Sequence, residues 1–147
     1  MGRQNPTVII ALGGNALSQK DESGTIEEQF SHVRESLKSV MHFVKKRYNI
    51  CITHGNGPQV GAELFKNEEM AKSIPPLPLG VLVANTQGAI GYMIQQSLQN
   101  ALYKENTDRE VVTFVSQMKI DEDDPAIKKP TKYIGKIYSK KTAYELS

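Results

Sequence analysis

Two short glycine-rich stretches carry residue types able to do chemistry. Gly13-Gly14-Asn15 closes the apolar run Thr7 to Leu12, and His54-Gly55-Asn56-Gly57 closes the apolar run Ile50 to Thr53. Backbone N–H groups with no side chain over them, beside the positive end of a helix dipole, suit an anion, and phosphate is the natural one. The same residues also serve as tight strand-to-helix turns, and the residues alone leave both readings open. Two other phosphate signatures are excluded. No G-x-x-x-x-G-K-[ST] run occurs, so this is not a Walker-type loop. Val60 stands where a third glycine would follow Gly55 and Gly57, and no acidic residue lies about 20 residues further on to hold a ribose, which disfavours a dinucleotide-binding unit.

Other reactive types are fewer. His54 is placed either to act as a general base or to order its loop by hydrogen bonding. Cys51, in mid-strand, is expected to be a small buried core residue. The run Asp121 to Asp124 reads as a divalent-cation ligand set or as a solvated acidic turn. The lysines between Lys128 and Lys141 can neutralise phosphate charge or keep the surface soluble. With one cysteine and no zinc-type Cys/His spacing, no metal ligand set is assigned.

The elements that position these residues follow from periodicity. Thr7 to Leu12 reads as a strand buried on both faces. From Ile26 the apolar positions Phe30, Val33, Leu37, Val40, Met41 and Val44 recur at steps of three and four, giving an amphipathic helix from Thr25 to about Lys46, with Thr25 and Glu28 forming a capping box. Ile50 to Thr53 is a second strand. Pro58 suits the first turn of the next helix, whose buried side is expected to carry Val60, Leu64 and Met70. Pro75, Pro76 and Pro78 impose an extended linker. Leu79 to Tyr103 is a longer helix, in which Gly88 and Gly91 permit close approach of a backbone or ligand. Glu110 to Gln117 is expected to be a third strand, Tyr133 to Tyr138 a short hairpin or flap, and Lys140 to Ser147 the start of another helix. Strand, helix, strand, helix implies a parallel sheet with right-handed crossovers, with both glycine loops at the carboxyl ends of the strands, where such sheets gather ligands.

Composition agrees with a folded domain. The chain has 147 residues with 39% hydrophobic and 23% charged, and a net charge of +2 spread along its length. That is enough chain for a core and lacks the basic block of a nucleic-acid arm. The polar segment Met1 to Pro6 does not read as a signal peptide, and the apolar runs are too short to span a bilayer. The expectation is a cytoplasmic protein with neither nucleic acid nor membrane as partner.

Four stretches together are more specific than any one: Ala11-Leu12-Gly13-Gly14-Asn15-Ala16, His54-Gly55-Asn56-Gly57-Pro58-Gln59-Val60-Gly61, Thr86-Gln87-Gly88-Ala89-Ile90-Gly91-Tyr92 and Pro130-Thr131-Lys132-Tyr133-Ile134-Gly135. In this order and at these intervals the sequence resembles carbamate kinase, of the amino acid kinase superfamily, from about Val8 to its end. The resemblance implies an α/β fold, a three-layer αβα sandwich with a mainly parallel sheet, usually homodimeric. It implies phosphoryl transfer between carbamoyl phosphate and ADP, with magnesium, giving ATP and carbamate in the manner of arginine fermentation. By resemblance, Gly13, Gly14 and Asn15 hold the transferred phosphoryl group and Gly55, Asn56 and Gly57 cradle carbamoyl phosphate. Gln87 lines that pocket, and Lys132 is the catalytic lysine of a small protruding subdomain that begins near 120–140. The first strand lacks the lysine that related amino acid kinases carry just before the glycines, which moves weight away from acetylglutamate or aspartate kinase.

Two departures qualify the resemblance. Tyr133 and Lys136 replace prolines of the subdomain motif, removing two φ restraints and loosening the flap that carries Lys132. The family is also about twice as long, so residues 1–147 correspond to its amino-terminal, carbamoyl phosphate-binding lobe and stop before the nucleotide lobe. The expectation is that this chain alone lacks kinase activity. A different class of reading is a non-catalytic anion-binding or dimerisation module, and a third is another small-acid kinase of the superfamily.

Overall fold

A computed structural model of the chain describes residues 5–14, 17, 22–134, 139–140 and 144. They divide into two compact bodies, one from Met1–Asn56 with Gln87–Val115, the other from Gly57–Thr86 with Ser116–Ser147.

The first body is built on two parallel strands, β1 (Thr7–Leu12) and β2 (Asn49–His54), in register from Thr7 opposite Asn49 to Leu12 opposite His54. Helix α1 (Ile26–Lys45) connects them. Its start is fixed as the sequence predicts: Thr25 Oγ1 accepts from Glu28 N at 3.3 Å, and Thr25 N donates to Glu28 Oε2 at 2.8 Å. Such a reciprocal cap contributes about 1 kcal/mol. The helix buries Val33, Leu37, Val40 and Val44, the stripe set by their spacing. Helix α3 (Leu79–Lys104) supplies Ile90, Met93, Ile94, Leu98 and Leu102 to the same core, with Ile10, Ile50 and Ile52 of the strands packed against it.

Only one face of the strand pair is covered among the described residues. Side chains alternate across a strand, so Ile10, Leu12, Ile50 and Ile52 face the core while Thr7, Ile9, Ala11, Cys51 and Thr53 face away. Ile9 is 72% exposed and Cys51 is exposed, which corrects the expectation of a first strand buried on both faces and of a core cysteine. The apolar composition of Thr7 to Leu12 fits a doubly buried strand, but composition does not say whether this chain brings the second cover.

The third strand is also corrected. Residues 107–121 form no ladder. They are anchored on α3: Gln99 Oε1 accepts from Val111 N at 3.0 Å, Gln99 Nε2 donates to Arg109 O at 3.1 Å, and Thr113 Oγ1 donates to the backbone Gly91 O at 3.2 Å. An apolar β-branched run becomes a strand only when a partner strand accepts its backbone groups; among the described residues none pairs with it, and Gln99 takes up only Val111 N and Arg109 O. Gly91 makes this docking possible, since a Cβ there would run into Thr113 Cγ2; Gly88 has nothing close to it.

The second body holds α2 (Gly57–Glu69), which begins at Gly57 with Pro58 in its first turn, and the short α4 (Pro125–Lys128). Val60 is buried as expected, but Met70 lies beyond the helix and is 47% exposed. The linker 75–78 is irregular and is clamped by Asn67, whose Oδ1 accepts from Leu77 N at 2.8 Å while its Nδ2 donates to Leu77 O at 3.2 Å. Most of the expected flap Tyr133 to Tyr138 and of the expected helix from Lys140 lies outside the described residues.

Candidate anion site at the glycine loops

The carboxyl ends of β1 and β2 are paired through their last residues, and the pairing runs on into the loops: Gly55 N donates to Leu12 O at 3.4 Å. Gly13-Gly14 and Gly55-Asn56 are therefore neighbours at the carboxyl end of the strand pair, placed there by the parallel register. Gly14 O accepts from Leu17 N at 3.0 Å, closing a tight turn. Leu17 is fully buried in the core, so the far end of the first loop is held by hydrophobic burial. The sequence reading missed Leu17. Its only signal is being the first large apolar residue after the glycines.

The glycines themselves are informative. Neither Gly13, Gly14, Gly55 nor Gly57 adopts the left-handed backbone that favours glycine, and a Cβ built on any of them meets nothing within 4 Å. Turn geometry and packing within the described chain thus give no reason for glycine at these four positions. What a side chain there would take away is the open space over the backbone, which a ligand bound by main-chain N–H groups requires.

His54 bonds to its own loop, with Nδ1 3.2 Å from Gly55 O. A carbonyl only accepts, so in this contact Nδ1 carries the proton and the imidazole orders the turn. Asn56 and Gln87 are both half-buried in the first body, Gln87 on α3. Gly57 and Lys132 belong to the second body, where Lys132 sits on an exposed bend. Asn15 lies outside the described residues.

The acidic run is a turn with a cap. Asp121 Oδ1 accepts from Asp123 N at 3.1 Å, and Asp124 Oδ1 accepts from Ala126 N at 2.8 Å at the start of α4. Magnesium asks for converging oxygen ligands, and among the described residues no three of His, Cys, Asp and Glu converge on a point. The described residues do not fit a magnesium centre of their own. No described helix is long and apolar enough to cross a membrane.

No protein-family model matches the chain. Individual relatives do. The chain is 45% identical over 142 residues to the carbamate kinase of Pyrococcus horikoshii, covering 95% of this chain and 45% of the relative. It is 40% identical over 141 residues to the carbamate kinase-like protein YahI of Escherichia coli, covering 95% of this chain and 44% of that one. Among solved structures, carbamate kinase from Giardia lamblia bound to AMP-PNP superposes with a TM-score of 0.88 at 39% identity, over 97% of this chain and 45% of the other. The α/β fold with its parallel sheet is that of these proteins. The chain is similar to the carbamate kinases and spans about 45% of the length of the relatives it matches.

Proposed function

We propose that this chain forms the carbamoyl phosphate-binding part of a carbamate kinase-type phosphotransferase, which moves a phosphoryl group reversibly between carbamoyl phosphate and ADP to give ATP and carbamate. The observation that carries the reading is the pair of adjacent glycine loops whose glycines neither backbone conformation nor packing explains. In this reading the N–H groups of Gly13 and Gly14 and the Asn15 amide hold the transferred phosphoryl group. Gly55, Asn56 and Gly57 hold the carbamoyl phosphate from its other side, with Gln87 lining the pocket. Lys132, on a small subdomain that begins near 120–140, supplies positive charge. Phosphoryl transfer needs little covalent help from a protein, so fixed donors and charge are the relevant equipment. Magnesium with ADP or ATP would supply the remaining neutralising charge.

Relatives about twice as long imply further apparatus beyond these residues, so the 147-residue chain by itself is expected to make no ATP from ADP and carbamoyl phosphate. A homodimer and a cytoplasmic setting belong to the same reading. The test is calorimetric titration of the chain with carbamoyl phosphate, comparing wild type with Gly14→Val and Asn56→Leu. Binding that weakens in both variants supports the reading; binding unchanged in both removes the loops from it. A luciferase assay for ATP decides the activity of the chain alone.

A further inference from the structure

The opposite end of the strand pair holds a second candidate site. An open cavity of about 540 Å³ is lined by Asn5, Lys45, Arg47, Asn49, Asn106 and Arg109, with Val44, Thr107 and Asp108 completing the wall. All of these residues belong to the first body. Asn49 opens β2 and Asn5 lies two residues before β1; Asn49 is six residues from Gly55, which at about 3.3 Å per residue places the cavity about 20 Å from the loops.

The charges here exceed what the fold uses. Cationic side chains near helix carboxyl ends ordinarily serve unpaired carbonyls and the helix dipole. At both helix ends backbone N–H groups already do this. After α1, the N–H groups of Lys46, Arg47 and Tyr48 bond to the carbonyls of His42, Val44 and Phe43 at 2.9–3.3 Å. After α3, those of Glu105, Asn106 and Thr107 bond to Ala101, Leu102 and Tyr103 at 2.9–3.2 Å. Lys45 is paired with Glu105 at 3.1 Å. Arg47 and Arg109 have no ion-pair partner among the described residues. Nη1 of Arg109 is closed off from solvent with no hydrogen-bond partner among the described residues, so it does not face the open cavity, and an anion there meets the other N–H groups of the guanidinium in charge-assisted hydrogen bonds.

Arg47 adds an independent sign. It sits in the left-handed region at φ 60°, where glycine is the favoured residue at a helix end. The fold is thus served better by glycine there, and arginine contributes a charge at the cavity instead.

We infer that this cavity binds a small dianionic oxyanion, a phosphate or a dicarboxylate, between the guanidinium groups of Arg47 and Arg109. The amides of Asn5 and Asn106 and the second N–H of the Asn49 amide, whose first is given to Asn5 O, furnish neutral donors around it, and Asp108 sets a limit on how much negative charge is accepted. Planar guanidinium groups match either anion in two-point fashion. The site is separate from the glycine loops and does not depend on their role.

The experiment is titration calorimetry of the full chain at low salt, with inorganic phosphate in one series and succinate in another. The wild type is expected to bind at least one of them saturably, and the stronger of the two names the anion class. Arg47→Gly is expected to weaken that binding at least tenfold while leaving the melting temperature equal or higher, since glycine suits the backbone there. Arg109→Gln is expected to do the same, with Arg109→Lys recovering part of the affinity. Gly14→Val, at the other end of the sheet, is expected to leave this binding in place. The proposal is overturned if neither probe binds, if Arg47→Gly and Arg109→Gln both bind like wild type, or if Gly14→Val abolishes all binding.

Discussion

The two faces of the β1–β2 pair use nearly the same residue types with opposite outcomes. Ile10 and Ile52 pack on the cluster formed by α1 and α3, whereas Ile9 and Cys51, one position away and paired across the strands, are exposed. Residue type therefore does not decide burial in a short parallel strand; what the chain lays over each face does. The comparison can be broken or sharpened by substitutions ranked from the covered face outward.

The largest effect belongs to the covered face. Leu37→Ala and Leu17→Ala each remove a side chain at most 2% exposed and leave a cavity, so each is expected to lower unfolding stability by about 2–5 kcal/mol in urea denaturation. Leu17→Ala carries a second consequence, because the buried Leu17 side chain anchors the chain just after Gly14. It is expected to weaken anion binding at the glycine loops more than Leu37→Ala does at equal destabilisation, and calorimetry under folded conditions separates the two.

Next in size is the crossing of α3 by the 107–121 segment. Gly91→Ala places a methyl group against Thr113 Cγ2 and is expected to cost about 1–3 kcal/mol by overpacking. Adding Thr113→Ser deletes the obstructing methyl and keeps a hydroxyl for Gly91 O, so the double variant is expected to recover part of the loss. Recovery shows that the methyl is the obstacle; a double variant no better than Gly91→Ala shows that the segment leaves α3 altogether.

Gly14→Ala is smaller still. Nothing lies within 4 Å of a Cβ there and the backbone is not left-handed, so stability is expected to change by less than about 1 kcal/mol. Phosphate affinity at the loop is expected to fall, because the methyl group occupies the space over the N–H groups. Stability falling by several kcal/mol instead would make the glycine a structural requirement of the turn.

How far the sequence carried depends on whether a feature is local. The capping box at Thr25 and Glu28, the apolar stripe of α1 and the span of α3 all follow from residues within a few positions of one another, and all three are found. The parallel pairing follows from the long crossover between two short runs. The third strand failed because a strand needs a partner, and among the described residues only β1 and β2 pair, while the two bonds of Gln99 to 109–111 have no signature in the spacing. Cys51 failed because covering the outer face takes chain that the described residues do not provide. At the glycine loops, the residue types and their place at the strand ends were legible, but that the glycines are free of conformational and packing demands needed coordinates. The arginine cavity left no motif, since Arg47 and Arg109 are 62 positions apart and line one cavity only in the folded chain.

The smallest effect is the sharpest test of the comparison. Ile9→Thr keeps a β-branched residue, so strand preference is retained and only apolar area is lost. On a face that is 72% exposed at this position, the change is expected to stay within about 0.5 kcal/mol. The neighbouring Ile10→Thr, facing the core, is expected to cost about 1–3 kcal/mol, because its hydroxyl is buried among apolar side chains. Cys51, across from Ile9, is expected to react with a thiol reagent in native buffer as fast as a free thiol. An Ile9→Thr loss as large as that of Ile10→Thr, together with a protected Cys51, would mean that the outer face is covered in solution. Repeating both measurements over a range of protein concentrations then decides the cover, since self-association fades on dilution and cover supplied by the chain itself does not.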